Sequence, residues 1–274
     1  MSSTAEYLIN AAKPCNALPL LLHVLGNKNV HLDKESHSLY RKQYIHNFLS
    51  TTILVKELTT LLSLLTERKI DIVLLKGAAF YTDLYSDPGI RPMRDIDILV
   101  HKEGLTSVIE LFHAAGYQRA SPVARSIIEE FHSEITFIKE SDPSVMIEPH
   151  WTLSPEYAYS RRIKTEDLWQ RARKVTLSGI DTAVLCIEDA LLHLCLHLFL
   201  HSRSMWLVNA CDIAGLIRHY NSHIDWGAFL TRVFQYRLCL PVRYSLNVTS
   251  NMFSPPVPVG LAPVPQPGGL LISR

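Results

Sequence analysis

Residues 91–100 constrain the fold more than any other part of the chain. Alternation over the last six of them predicts a strand that presents Asp95, Asp97 and Leu99 on one face and isoleucine and valine on the other. Aspartate disfavours strands, and two neighbouring carboxylates repel each other unless a cation lies between them. We therefore predict a strand anchored in the core whose aspartates can hold a hard divalent cation such as Mg²⁺. The alternative is a solvated edge strand with two exposed aspartates.

A further strand is predicted over residues 145–151, with Glu148 and His150 on one face. Pro149 has no N–H to give to a neighbouring strand, which favours an edge strand or a bulge. If this strand lies beside residues 95–100, Glu148 completes an acidic cluster of the kind that holds two metal ions for phosphoryl chemistry. If it does not, Glu148 is a surface residue.

Upstream of these strands, a short apolar run over residues 70–75 ends at Lys76 and Gly77, where a helix is predicted to begin. Gly77 allows another group to approach the backbone closely, and the free N–H groups at the start of a helix attract phosphate. Lys76, Arg91 and Arg94 bring positive charge to the same edge as the carboxylates. Arginine can bind phosphate oxygens through two N–H groups at once.

Composition and periodicity divide the chain into four zones. Leucines at helical spacing predict a helical region over residues 1–68, with separate helical segments over residues 39–49 and 53–67. Strands and helices alternate over residues 69–154, and helices return over residues 155–253. Within the first of these zones, a helix is predicted over residues 105–115 that ends at Gly116. Residues 254–274 are rich in proline and glycine, which predicts a flexible tail. The expected fold class is α+β, with a small sheet flanked by N-terminal and C-terminal helical regions.

Charge and cysteine usage narrow the class of protein. The 27 Lys and Arg against 26 Asp and Glu give a net charge of +1, which argues against non-specific DNA binding. The five cysteines form no C-x-x-C pair, as expected of thiols in a reducing compartment. The N-terminus lacks the features of a signal peptide, and the longest apolar stretches are too short for a bilayer. We therefore expect a cytoplasmic protein without a membrane partner.

Taken in order, these motifs resemble the uncharacterised nucleotidyltransferase family of the DNA polymerase β-like superfamily. The resemblance is carried by LLKGAA, DPGIRPMRDIDILV and IEPHW, then by EDALLHLCLHLFLH, MWLVNACDIAGLI and IDWGAF, over residues 15–253. It implies a mixed-sheet nucleotidyltransferase core and the transfer of a nucleoside monophosphate from an NTP to an acceptor, with release of pyrophosphate. It also implies that Asp95, Asp97 and Glu148 are the catalytic carboxylates and bind Mg²⁺ or Mn²⁺.

Two departures from the superfamily leave alternatives open. Ala78 stands where a phosphate-binding serine is usual, and the chain becomes proline-rich after Phe253. A nucleotide-binding regulator or scaffold that has lost turnover is therefore the second hypothesis. The acceptor is open between a protein, a peptide, a small molecule and an RNA end. The predicted substrate-binding residues are Lys76, Gly77, Ala78, Arg91, Arg94 and His150.

Two other features carry polar groups on predicted helices. His193, His197 and His201 follow Asp189 at intervals of four residues and share one helix face. The glutamate of an H-E-x-x-H zinc motif is missing, so polar packing against the catalytic unit is favoured over a metal site. The stripe could also line a cleft. Asp212, in an apolar helix, is either a buried hydrogen-bonding residue or a cleft residue.

Overall fold

The computed structural model describes residues 3–26, 32–122, 132–154, 156–200, 205–258 and 260 of the 274. In this part of the chain, seven strands form one mixed sheet in the order β3-β4-β5-β2-β1-β7-β6. The strands are β1 (Val73–Leu74), β2 (Ile96–Leu99), β3 (Tyr117–Arg119), β4 (Phe137–Lys139), β5 (Asp142–His150), β6 (Arg173–Leu177) and β7 (Ile180–Val184). The α-helices are α1 (Ser3–Ala12), α2 (Leu18–Leu25), α3 (Lys34–Glu67), α4 (Lys76–Phe80), α5 (Leu105–Ala114), α6 (Tyr157–Ser160), α7 (Thr165–Arg171), α8 (Ile187–Leu200), α9 (Trp206–Tyr220), α10 (Trp226–Gln235) and α11 (Cys239–Phe253).

The sheet separates two hydrophobic cores. Ile96, Ile98 and Val100 pack with α5 and the leucines of α3 on one face, whereas Leu99 belongs to the second core, built with α2, α8, α9 and α11. This alternation is the one that the residue pattern of β2 predicts. The α+β class, a mixed sheet flanked by N-terminal and C-terminal helices, is confirmed.

Helix α3 is longer than the sequence pattern predicts. We expected separate helical segments over residues 39–49 and 53–67, but one helix of 34 residues covers both. Its start is defined by Asp33, whose side chain accepts a hydrogen bond from the Ser36 N–H at 2.7 Å. By length and composition α3 would suffice to cross a membrane. Its C-terminal half instead packs leucines into the core beneath the sheet.

Two predictions about strands were wrong. The segment after residue 155 was expected to be helical, yet β6 and β7 form a hairpin that extends the sheet beside β1. Ser178 and Gly179 make its turn with φ of +52° and +82°, as tight hairpin turns require. Pro149 was expected in an edge strand or at a bulge, but β5 lies inside the sheet between β4 and β2, and the register shift between β4 and β5 falls at Ile138 and Lys139. The Pro149 carbonyl still accepts a hydrogen bond from the Ile135 N–H, at 3.2 Å.

Candidate active site

Strands β2 and β5 lie side by side as parallel strands. Their register sets Asp97 opposite Glu148 and Leu99 opposite His150, and the Val100 N–H donates to the His150 carbonyl at 2.8 Å. Since alternate residues of neighbouring strands share a face, Asp97, Glu148 and His150 come together on the face that points toward the C-terminal helices. The sheet therefore brings together residues that are more than fifty positions apart in the chain.

Asp97 is the most enclosed carboxylate of this group, with only 2% of its surface exposed. Its Oδ1 accepts hydrogen bonds from Lys76 Nζ at 2.7 Å and from His150 Nε2 at 2.8 Å. Burial alone would raise the pKa of Asp97, but the two cationic partners hold it well below its usual range. Asp97 is thus a buried carboxylate that stays ionised.

Lys76 reaches Asp97 from a strained backbone position. It follows β1 directly, and its φ of +43° lies in the left-handed region that a side chain rarely adopts. The Leu75 N–H donates to the Asp97 carbonyl at 3.0 Å, so the turn is attached to β2 through both backbone and side chain. Such a conformation costs about 1–3 kcal/mol and persists where the surroundings determine it, commonly at functional sites.

His150 connects Asp97 to a carboxylate that sequence reasoning missed. Its Nδ1 lies 2.9 Å from Glu134 Oε2, while its Nε2 faces Asp97. A neutral imidazole can donate from only one nitrogen, so contact with two carboxylates favours the doubly protonated ring. Burial lowers the pKa of His150, but the bonds to Asp97 and Glu134 outweigh it and raise the pKa to about 9.

The segment that leads into β4 contributes two site residues that the sequence analysis did not identify. Besides Glu134, it supplies Thr136, whose hydroxyl donates to Glu148 Oε1 at 2.9 Å. Burial, with Asp97 and Glu134 nearby, raises the pKa of Glu148. The signal that could have identified them is the alternation of Glu134 and Thr136 with buried apolar residues, the same pattern that singled out β2.

The donor atoms of this site suit a divalent cation. A carboxylate oxygen of Asp97 and one of Glu148 lie within 4.8 Å of each other, whereas the doubly protonated His150 beside them has no free ligand atom. Asp95, half-buried just before β2, lies beside this group. Burial and the charges of Asp97 and Glu148 raise the pKa of Asp95 to about 7, although Lys76 opposes them. The raised pKa values of Asp95 and Glu148 indicate that Lys76 and His150 do not balance all the carboxylate charge of the site. Mg²⁺ prefers hard oxygen ligands such as these carboxylates.

Arg91 does not face the solvent edge where phosphate binding was predicted. Its guanidinium makes contacts of 2.8–3.1 Å with both carboxylate oxygens of Asp212, which is fully buried. Arg91 also packs so closely on Gly77 that an added Cβ would lie 2.6 Å from Arg91 Nη1. Arg91 therefore positions the Lys76–Gly77 turn, and Asp212 is the buried hydrogen-bonding residue of the two alternatives.

The remaining predicted substrate-binding residues differ in access. Arg94 is exposed. Ala78 is 1% exposed and its methyl group belongs to the core beneath the sheet, so Ala78 can offer a substrate only its backbone. Gly77 is buried between Arg91 and Met93.

The predicted histidine stripe reaches the site through His193. With Lys76, His193 lines a small cleft between β1, β7 and helices α4, α8 and α9. Burial, Lys76 and His197 lower the pKa of His193 well below its usual range. The stripe therefore both packs and lines a cleft at His193, while His201 lies outside the described residues.

Comparison with known proteins assigns the chain. A family model described as uncharacterised nucleotidyltransferase matches residues 2–254 of the 274. The chain belongs to this family. The resemblance expected from the motifs is thereby confirmed, and this nucleotidyltransferase is an enzyme of the class that transfers nucleotidyl groups. No curated protein matches the chain.

Three solved structures similar to this nucleotidyltransferase are distant from it in sequence. The antibiotic-resistance factor ANT(2'')-Ia is 12% identical, with a TM-score of 0.47 over 71% of this chain and 95% of that one. The lincosamide antibiotic adenylyltransferase LnuA, bound to lincomycin, is 18% identical, with a TM-score of 0.38 over 59% and 94%. An antigenic nucleotidyltransferase-like protein from Paracoccidioides brasiliensis is 16% identical, with a TM-score of 0.39 over 70% and 89%.

Proposed function

We propose that this enzyme transfers a nucleoside monophosphate from an NTP to an acceptor and that it depends on Mg²⁺ or Mn²⁺. The proposed metal ligands are Asp95, Asp97 and Glu148. The observation that carries the proposal is the parallel register of β2 and β5, which sets Asp97 against Glu148 beside the Lys76 turn. The acceptor is a protein, a peptide, a small molecule or an RNA end.

The chain's own residues supply positioning and charge. Lys76, held at the edge of the carboxylate cluster, is placed to bind a phosphate oxygen, with the backbone at Gly77 beside it. We assign the exposed Arg94 to the triphosphate as well, while His150 holds Asp97 in place through the contact of its Nε2. A divalent cation bound by the carboxylates would neutralise negative charge on the triphosphate as the α-phosphorus is attacked.

The reaction needs one proton acceptor and one leaving group. A bond forms between the acceptor oxygen and the α-phosphorus, and the bond from that phosphorus to pyrophosphate breaks. Asp97 is already engaged by two cationic side chains, so we assign the acceptor's proton to Glu148, whose Oε1 is oriented by Thr136. Pyrophosphate leaves on the side of Lys76 and Arg94.

A cytoplasmic location is also proposed. All five cysteines, which lie within the described residues, are free thiols. Unpaired thiols are usual in a reducing compartment, which supports this location.

The test is to incubate the protein with each labelled NTP, Mg²⁺ or Mn²⁺ and candidate acceptors, and to measure labelled acceptor and pyrophosphate. Asp97→Asn is expected to abolish transfer, whereas Asp181→Asn, an exposed carboxylate in the β6–β7 hairpin, serves as the control. Transfer that survives Asp97→Asn would overturn the proposal. Metal-dependent NTP binding without transfer to any acceptor favours the regulator hypothesis instead.

A further inference from the structure

Over residues 36–53, helix α3 buries polar side chains and exposes large apolar ones. Every fully buried side chain in this stretch is polar, whereas four large apolar side chains have 43–58% of their surfaces in solvent. Soluble helices normally bury the apolar face. The buried polar residues are Ser36, Gln43, Asn47 and Thr51, and the exposed apolar residues are Ile45, Phe48, Leu49 and Ile53.

Specific hydrogen bonds hold the helix in this orientation. Gln43 donates to the Lys13 carbonyl at 2.8 Å and accepts from the Leu18 N–H at 3.1 Å. Asn47 donates to the Asn16 carbonyl at 2.9 Å. Rotating α3 to bury its apolar face would break these bonds and leave buried polar groups unpaired, which is costly. The outward apolar face is therefore a stable property of the fold.

Charge marks the two ends of the exposed face. Lys42 and Lys56 lie seven residues on either side of Leu49, and seven residues bring a helix back to within about 20° of the same direction. The two lysines therefore lie in line with Ile45, Leu49 and Ile53, about 21 Å apart along the axis. We call these five residues the α3 strip. Residues 41–56 contain no aspartate or glutamate.

This arrangement disfavours two possible occupants. In a second copy packed antiparallel about Leu49, Lys42 would face Lys56 twice, and like charges would repel. A membrane surface that buried the strip would also have to bury Lys42 and Lys56, which lie in line with its apolar residues. It would also have to bury side chains that are already about half covered by the protein.

We propose that the α3 strip is a docking site for an acidic amphipathic helix of another protein, about four turns long. Leucine or isoleucine of that helix would pack on Ile45, Leu49 and Ile53, and its carboxylates would pair with Lys42 and Lys56. This proposal does not depend on the proposed reaction.

The test uses two synthetic helical peptides of fourteen residues with the same leucine stripe, one flanked by glutamates and the other by lysines. Binding to the full chain is measured by fluorescence anisotropy at low and high salt. The glutamate peptide is expected to bind at least tenfold more tightly than the lysine peptide, and high salt is expected to weaken the binding of the glutamate peptide. The double variant Leu49→Ser with Ile53→Ser is expected to bind it at least tenfold more weakly. Phe234→Ser removes a similarly exposed apolar residue on α10 and should bind like the wild type.

A charge reversal makes the test independent of any change in folding. Lys42→Glu with Lys56→Glu is expected to reverse the preference, so that the lysine peptide binds more tightly. Equal binding of the two peptides, or a preference that the reversal leaves unchanged, would overturn the proposal. Two other results, each without peptide binding, would also overturn it. One is binding to phosphatidylserine vesicles that Leu49→Ser with Ile53→Ser abolishes, and the other is a dimer that the same double variant dissociates.

Discussion

Replacing Gly77 by alanine tests how the Lys76–Gly77 turn is packed. The new Cβ would lie 2.6 Å from Arg91 Nη1 and 3.1 Å from Met93 Cγ, distances at which something must move. Arg91 cannot retreat freely because its guanidinium is bonded to both oxygens of the buried Asp212. Overpacking of this kind costs about 1–3 kcal/mol of unfolding free energy. For a chain of this length, that corresponds to a fall in Tm of about 2–5 °C.

Chemical denaturation of Gly77→Ala measures this cost, with Gly104→Ala as the matched control. Nothing lies within 4 Å of a Cβ at Gly104, whose φ of −85° suits any residue, so its change is expected to stay within about 0.5 kcal/mol. The double variant with Arg91→Met is expected to be less destabilised than the sum of the two single changes, because the clash is then relieved. Equal stability of Gly77→Ala and Gly104→Ala would refute the packing of Arg91 on this turn.

Three further results are expected. Arg91→Met leaves the charge of Asp212 buried without its partner, so urea unfolding should show a loss of about 3–5 kcal/mol, partly restored by adding Asp212→Asn. His193 stays neutral in the fold but takes up a proton when unfolded, so stability falls as the pH drops below about 6.5, by at most about 1.4 kcal/mol per pH unit from this residue. His193→Leu should reduce the dependence of the unfolding free energy on pH between pH 7 and 5. An unchanged slope would contradict a neutral, buried His193. Thr136→Val removes the hydroxyl that donates to Glu148, so it should lower the transfer rate in a pyrophosphate-release assay and cost about 1 kcal/mol of stability. An unchanged transfer rate would exclude Thr136 from the site.

Local sequence pattern was sufficient where a single strand or helix decides the outcome. The alternation around Asp97 correctly placed isoleucine and leucine on opposite faces of β2. The leucines of α3 correctly marked its buried C-terminal face, and Gly116, with φ of +81°, follows the end of α5 as predicted. These features depend on backbone periodicity and on the conformational freedom of glycine, both of which are visible in a few consecutive residues.

The features that the sequence did not reveal depend on contacts between distant segments. Arg91 was predicted to bind phosphate because nothing in the sequence shows that Asp212, 121 residues away, takes its guanidinium. Pro149 was placed at an edge or a bulge because its missing N–H is a local property, whereas the position of β5 in the sheet depends on two other strands. The partnership of Glu134 with His150 likewise exists only once β5 has paired.

The central claim is that carboxylates from β2 and β5 form one divalent-cation site. Electron paramagnetic resonance of Mn²⁺, titrated into the full chain with a non-hydrolysable NTP, measures this directly. Asp97→Asn and Glu148→Gln are each expected to weaken Mn²⁺ binding by at least about tenfold, because even the loss of a residue that only orients a metal ligand weakens binding by about 10–100-fold. Glu140→Gln, an exposed carboxylate in the turn before β5, should bind like the wild type. Wild-type Mn²⁺ affinity in both Asp97→Asn and Glu148→Gln would contradict the account.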